Sequence, residues 1–212
     1  MELKKVKTIF DIDKKLLEKI DEFKNERIIK YNNDKHEYKV IFHSIPLDAF
    51  SKFPMPLDNF RAKFGKHHFF QRRYAYNFEG LYYDYENEYV QIFHNGIFEI
   101  VFSDYSPNNL INISYYKNQC DTFVKESLKI YDELGINYPI LFYVTIINIK
   151  DYKLDANLWV RSEVWDTERN ILNPMGIIIK KDDHLDNNIN NLFVPIWNHF
   201  GISIDYINTV EE

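Results

Sequence analysis

Ile9, Ile12, Leu16, Ile20, Phe23 and Arg27 recur at steps of three and four residues. That spacing places them on one face of a helix and predicts an N-terminal helix over about 9–30, with Asp11 or Asp13 as its cap. The polar tract Tyr31-Asn-Asn-Asp-Lys35 ends the pattern. Residues 37–47, EYKVIFHSIPL, are dense in β-branched and aromatic types and read as a strand stopped at Pro46. A long loop is expected at 51–75, where Pro54, Pro56 and Gly65 interrupt any period. From Gly80 the alternation of a meander sets in, with strands at 80–85, 88–94 and 97–103. A second helix fits 116–134, where Cys120, Phe123, Val124, Ser127, Ile130, Tyr131 and Leu134 share a face ahead of Gly135. The uninterrupted run PILFYVTIINI from Pro139 has the character of a central strand. Further strands are expected at 157–165 and 175–181, and a last helix at 189–200 carrying Phe193, Ile196, Trp197 and Phe200. The order of elements predicts one α+β domain over 1–212, a mainly antiparallel sheet flanked by three helices, with the sheet and its helices spanning 76–206.

Between two apolar runs stands Asn95-Gly96, in QIFHNGIFEI. Asn-Gly at such a point is the signature of a two-residue type I′ hairpin, in which both residues take φ > 0. That turn would pair His94 with Ile97, Phe93 with Phe98, Ile92 with Glu99 and Gln91 with Ile100. One face would then carry Tyr89, Gln91, Phe93, Phe98, Ile100 and Phe102. The other would carry Val90, Ile92, His94, Ile97, Glu99 and Val101. Both faces are mainly apolar, so cover is expected on both sides.

An ionised carboxylate among such neighbours is too costly to stand alone. Two arrangements would relieve Glu99. The first is a structural pair with a cation such as Arg27, Arg72 or Arg73. The second is a small ligand pocket in which Glu99, His94 and Gln91 or Asn77 supply convergent polar groups.

Composition narrows the function classes. With 17 Phe, 16 Tyr and 3 Trp in 212 residues, a sizeable core needs no staples. A single cysteine, Cys120, excludes an internal disulfide and a CxxC redox pair; its place on an apolar helix face predicts a core residue rather than a nucleophile. The net charge of −6 argues against a protein devoted to gripping phosphate backbones. No apolar run is long enough to span a membrane and the start lacks a signal-peptide core, so a soluble, cytoplasmic chain is expected. The six glycines are too dispersed to build a dinucleotide or phosphate loop, and GxSxG is absent. No cofactor or metal site is therefore expected.

Several weaker constellations remain. His36-Glu37 starts like a zincin helix but meets Val40 where a second histidine belongs, and the adjacent His67 and His68 point apart on any regular element. Asp104 closing one strand, with Asp151-Tyr152-Lys153 after another, could form a metal-dependent nuclease site. The stretch 61–74 interleaves Arg61, Lys63, Lys66, Arg72 and Arg73 with aromatics including Phe69 and Phe70, the composition of a single-strand-binding surface. Its bland reading is a folded loop with aromatics inside and charges outside.

Taken in order, FKNERIIKY (23–31), VIFHSIPLDAF (40–50), YNFEG (76–80), YVQIFHNGIFEIV (89–101) and LFVPIWNHFGIS (192–203) give the chain a family likeness. It resembles the C-terminal domain of bacterial proteins that carry an N-terminal Schlafen AlbA-type putative DNA-binding domain. The most specific marks are Phe23 and Arg27, Ile45-Pro46-Leu47, Tyr76-Asn77-Phe78-Glu79-Gly80, and Phe93-x-Asn95-Gly96 followed by Glu99. Two departures accompany it. The AlbA-type domain is not in the sequence, MELKKVKTIF falling where it normally ends, so a truncated or a stand-alone version is expected. His94 occupies the place where an arginine is expected before Asn-Gly. The resemblance implies a sensing or scaffolding module in a regulatory or defence-type protein, acting with a nucleic-acid-binding partner domain and without an established active site. A non-catalytic binding domain is therefore the leading expectation. The nuclease of Asp104, Asp151 and Lys153 and the strand-binding stretch 61–74 are the alternatives.

Overall fold

A helix starts directly after Asp13, whose side chain accepts hydrogen bonds from the backbone N–H of Lys15 and Leu16, so that Asp13 rather than Asp11 is the cap. This helix, α1 (Lys14–Tyr31), opens the computed structural model, which describes residues 9, 12–32, 37–51, 55, 57–58, 60–71, 73–154, 169–181, 183 and 185–202, leaving aside the side chains of Arg61, Asp186 and Asn187. The elements that follow are β1 (Tyr38–Pro46), α2 (Phe60–Phe64), β2 (Ala75–Asn77), β3 (Gly80–Tyr85), β4 (Glu88–Phe93), β5 (Phe98–Asp104) and β6 (Leu110–Ile111). Then come α3 (Ile113–Leu134), β7 (Ile140–Ile147), β8 (Lys153–Leu154), β9 (Ile171–Leu172), β10 (Ile177–Ile179) and α4 (Leu185–His199).

Eight strands form one antiparallel sheet in the order β10-β7-β1-β5-β4-β3-β2, with β9 also on β7, while β6 and β8 pair in parallel apart from it. The fold is thus α+β, as the pattern of elements predicts. β1 and β7 are interior strands and every residue of both is buried, which matches their near-continuous apolar sequences. Helix α1 covers one face of the sheet, where Ile20, Ile45, Phe93, Ile97 and Leu141 pack together. α2, α3 and α4 cover the other, on Phe42, Val90, Ile92, Phe98, Ile100 and Val144.

Two expectations are corrected. The hairpin closes one residue earlier than a type I′ turn would allow: Ile92 pairs with Phe98 and Gln91 with Glu99, and Phe93 N–H donates to Ile97 O at 2.9 Å. His94, Asn95 and Gly96 form a three-residue loop, with Gly96 N–H donating to Phe93 O at 3.0 Å. Gly96 alone of the pair has positive φ, at 86°, the pattern of a type I turn followed by a left-handed glycine. The reason is burial. The observed register puts Phe98, Ile100 and Phe102 on the same face as Val90 and Ile92, against α3, and gathers Gln91 and Glu99 on the α1 face. A shift of one residue would have exchanged these faces.

The second correction concerns 51–75, which is not a bare loop. It contains α2 and the start of β2, and Leu57, Phe60, Phe64, Phe69 and Phe70 enter the core beneath the sheet. Glu126 on α3 accepts from Phe69 N–H at 3.0 Å and so ties the segment down. The strand expected at 157–165 lies outside the described residues. The expected 175–181 strand is β10, and the last helix starts four residues earlier than the apolar period suggests.

Candidate functional site

Odd-numbered positions of β1 face α1, so His43 points toward the helix beside Glu99 of β5, its register partner. From α1, Arg27 reaches the same carboxylate. Its Nη2 donates to Glu99 Oε1 at 2.6 Å and its Nε to Oε2 at 2.9 Å. Tyr31, one turn further along α1, donates its hydroxyl to Oε1 at 2.6 Å. His43 Nε2 lies 2.8 Å from Oε2. A carboxylate only accepts, so the imidazole carries its proton on Nε2. Its Nδ1 is buried and has no hydrogen-bond partner among the described residues. Arg27 also donates through Nη1 to Glu79 Oε1 at 3.1 Å, Glu79 being 40% exposed while Glu99 is fully buried.

The charge states follow from these contacts. Burial alone would push the Glu99 carboxyl up, but hydrogen bonds from His43 and Arg27 and the guanidinium charge outweigh it and hold it at about 2. Burial lowers His43, which is therefore a neutral donor at pH 7. Lys24, buried on the same helix, has its Nζ 3.8 Å from the centre of the Tyr143 ring and 4.0 Å from Asp21, and burial lowers its pKa to about 8. Beside the cluster, Asn77 Nδ2 donates to Gln91 Oε1 at 2.8 Å and Tyr89 donates to the same oxygen at 2.7 Å. Asn77 Oδ1 caps the β2–β3 turn by accepting from Glu79 and Gly80 N–H.

Phe23 and Arg27, Asn77 with Glu79 and Gly80, and Phe93 and Glu99 come from three separate stretches and converge at this one place. Phe23 meets Phe93 edge-on at 5.2 Å and His43 at 5.5 Å. The arrangement is a clamp. Every oxygen of Glu99 is saturated by donors, and the carboxylate, enclosed by α1, has no open position for a substrate or a metal.

Of the four expected pocket residues, Glu99, Gln91 and Asn77 lie together. His94 does not join them: it is on the hairpin loop, where its backbone N–H donates to Glu79 O at 3.0 Å and its carbonyl accepts from Met55. The histidine of the cluster is His43, and together with Tyr31 and Glu79 it was missing from the expected set. The signals for it were the alternation of Ile41, His43 and Ile45 along β1 and the four-residue step from Arg27 to Tyr31.

The nuclease candidates share one neighbourhood, since the Tyr38 ring meets that of Tyr152, between Asp151 and Lys153, at 5.2 Å. Asp104 accepts from Tyr38 OH at 3.0 Å and Tyr116 OH at 3.4 Å. Asp151 sits at φ 67° in a turn, and Lys153 is exposed on β8. Among the described residues no three His, Cys, Asp or Glu side chains group as metal ligands. Phe69 and Phe70 are buried and offer no face to a base, which corrects their role as stacking residues. Lys63, Lys66 and Arg73 are exposed, Lys66 with Glu133 at 3.4 Å. The Arg61 side chain and Arg72 lie outside the described residues. Cys120 is buried against the sheet and burial pushes its thiol up.

The clefts among the described residues include two at the surface. One of about 460 Å³ lies between the start of α1 and the turn after β1, lined by Lys15, Leu16, Lys19, Leu47, Asp48 and Phe50. The other, of about 650 Å³, lies between α2 and the sheet edge and is lined by Leu57, Phe60, Ala62, Arg73, Tyr74 and Tyr76 with Leu81. No described helix is long and apolar enough to cross a membrane. No family model matches the chain, and neither a curated protein nor a solved structure matches it.

Proposed function

We propose that the chain is a non-catalytic binding, sensing or scaffolding domain of a cytoplasmic, regulatory or defence-type bacterial protein, working with a nucleic-acid-binding partner domain. The observation that carries this reading is how the convergent ionisable groups are used. Arg27, Glu79, Glu99, His43 and Tyr31 satisfy one another across the α1–sheet contact, so the densest cluster of chemistry-bearing side chains among the described residues holds the fold. What the surface offers is of another kind: Phe78 is 100% exposed and Tyr76 63% exposed, and large uncovered aromatics mark contact with a partner. The nucleic-acid-binding partner domain rests on the resemblance of the five stretches to the Schlafen AlbA-associated domain.

The test is chemical. The purified chain is incubated with single- and double-stranded DNA and RNA in the presence of magnesium or manganese, and products are separated on denaturing gels. No cleavage above a buffer control is expected. Cleavage that disappears in a folded Asp151→Ala variant would replace this reading with the nuclease of Asp104, Asp151 and Lys153.

A further inference from the structure

We propose that the free edge of β2, with the cleft beside it, docks an extended segment of a partner protein that carries alternating apolar and acidic side chains, by adding it as a strand. The proposal rests on the binding-domain reading and names the surface and the partner chemistry.

β2 ends the sheet order, and β3 is its sole strand neighbour among the described residues. An antiparallel strand turns alternate backbone N–H and C=O groups to each side, so the groups on the outer side of β2 have no strand partner among the described residues. Ala75 and Tyr76 are exposed there. The strand's shortness is its one protection, since neither Ala75 nor Tyr76 places a charge or a proline in the way. At the turn that follows, Phe78 is 100% exposed. Leaving a phenylalanine and a tyrosine uncovered at an unpaired edge is what strand addition would remedy.

The cleft adds side-chain selectivity. Tyr76 pairs with Leu81 and shares its face of the sheet, and both line the 650 Å³ space together with Leu57 and Phe60. Along an added strand every second side chain points to that face, so an apolar residue would enter the cleft while its neighbours stay in solvent. Arg73 stands at the rim, exposed and without an acidic partner among the described residues, whereas Lys66 is taken by Glu133. Its guanidinium can grip a carboxylate with two parallel hydrogen bonds. A polynucleotide fits this surface less well. The chain carries a net charge of −6, Phe69 and Phe70 are buried, and a phosphate backbone has no ladder of amides to match the strand edge.

The experiment is a display selection of random ten-residue peptides on the immobilised full chain, followed by fluorescence anisotropy of the enriched peptides and amide hydrogen exchange of the complex. Enriched sequences should alternate apolar residues with Asp or Glu. Binding should weaken by roughly tenfold or more in Tyr76→Ala and in Phe78→Ser, Arg73→Glu should turn the preference from acidic to basic peptides, and exchange should slow at residues 74–77. Tyr76 and Phe78 are exposed, so both variants should keep the wild-type circular dichroism and melting temperature. Peptides that bind all three variants as well as the wild type, or that leave exchange at 74–77 unchanged, would overturn the assignment to β2 while leaving a binding domain standing. A selection without enrichment would overturn it too, as would tighter, Arg73-dependent binding of a twenty-nucleotide oligothymidylate.

Discussion

Glu99→Gln tests the clamp directly. The amide keeps the shape of the carboxyl and removes its charge. Oε1 accepts from Tyr31 and Arg27 Nη2, and Oε2 from Arg27 Nε and His43 Nε2. Either orientation of the amide therefore points its NH2 at a donor and strands at least one hydrogen bond. Arg27 keeps Glu79, which is partly exposed. Removing one partner of a buried pair costs about 3–5 kcal/mol, and the remaining contact with Glu79 argues for the lower end, ~3 kcal/mol. For a domain of this size that corresponds to a melting temperature lower by roughly 6–12 °C.

The pH dependence supplies a second reading. The Glu99 carboxyl ionises at about 2 when folded against an ordinary 4.5. Its folded value lies below its unfolded one, so its contribution of ~3 kcal/mol is complete above 4.5 and is lost as the pH falls toward 2. His43, held neutral by burial, adds a separate loss that begins below its ordinary 6.5 and operates in both proteins. Urea unfolding of wild type and variant should therefore show a stability gap that is constant above 4.5 and narrows toward 2. An unchanged melting temperature, or a gap that does not narrow, would refute the clamp.

Other outcomes follow from single sites. Arg27→Lys should destabilise by ~2 kcal/mol, because a lysine cannot bridge Glu79 and Glu99 with a planar fork; equal stability by urea titration would contradict it. Gly80→Ala should be severe, since an added Cβ would lie 2.1 Å from the Ile92 carbonyl oxygen at a φ of 147°, and circular dichroism melting would show it. Gly96→Val should cost only about 1–2 kcal/mol from its left-handed backbone, because its Cβ meets nothing closer than Ile136 at 3.5 Å. Cys120 should react slowly with a thiol reagent in the native protein and rapidly in denaturant, since burial both blocks access and raises its pKa.

Local pattern was enough for much of this chain. α1, α3, β1, β3 and β7 lie close to where apolar spacing and β-branched content put them, and Asp13 caps α1, because each depends on neighbours a few residues away. Arg27 was also among the partners expected for Glu99, since an apolar setting demands a cation and Arg27 closes the buried face of α1. Three features needed the tertiary structure. Asn95-Gly96 is compatible with both a two- and a three-residue loop, and the choice was made by the packing of Phe98, Ile100 and Phe102 against α3 rather than by the turn itself. Phe69 and Phe70 sit in a stretch as basic as it is aromatic, and composition alone does not say which side of each residue meets the core. His43 and Tyr31 meet Glu99 across 56 and 68 residues of chain, and Glu79 joins them through Arg27, separations over which local periodicity carries no information, so only the pairing of β1 with β5 and of β4 with β3 and β5, and the docking of α1, bring them together.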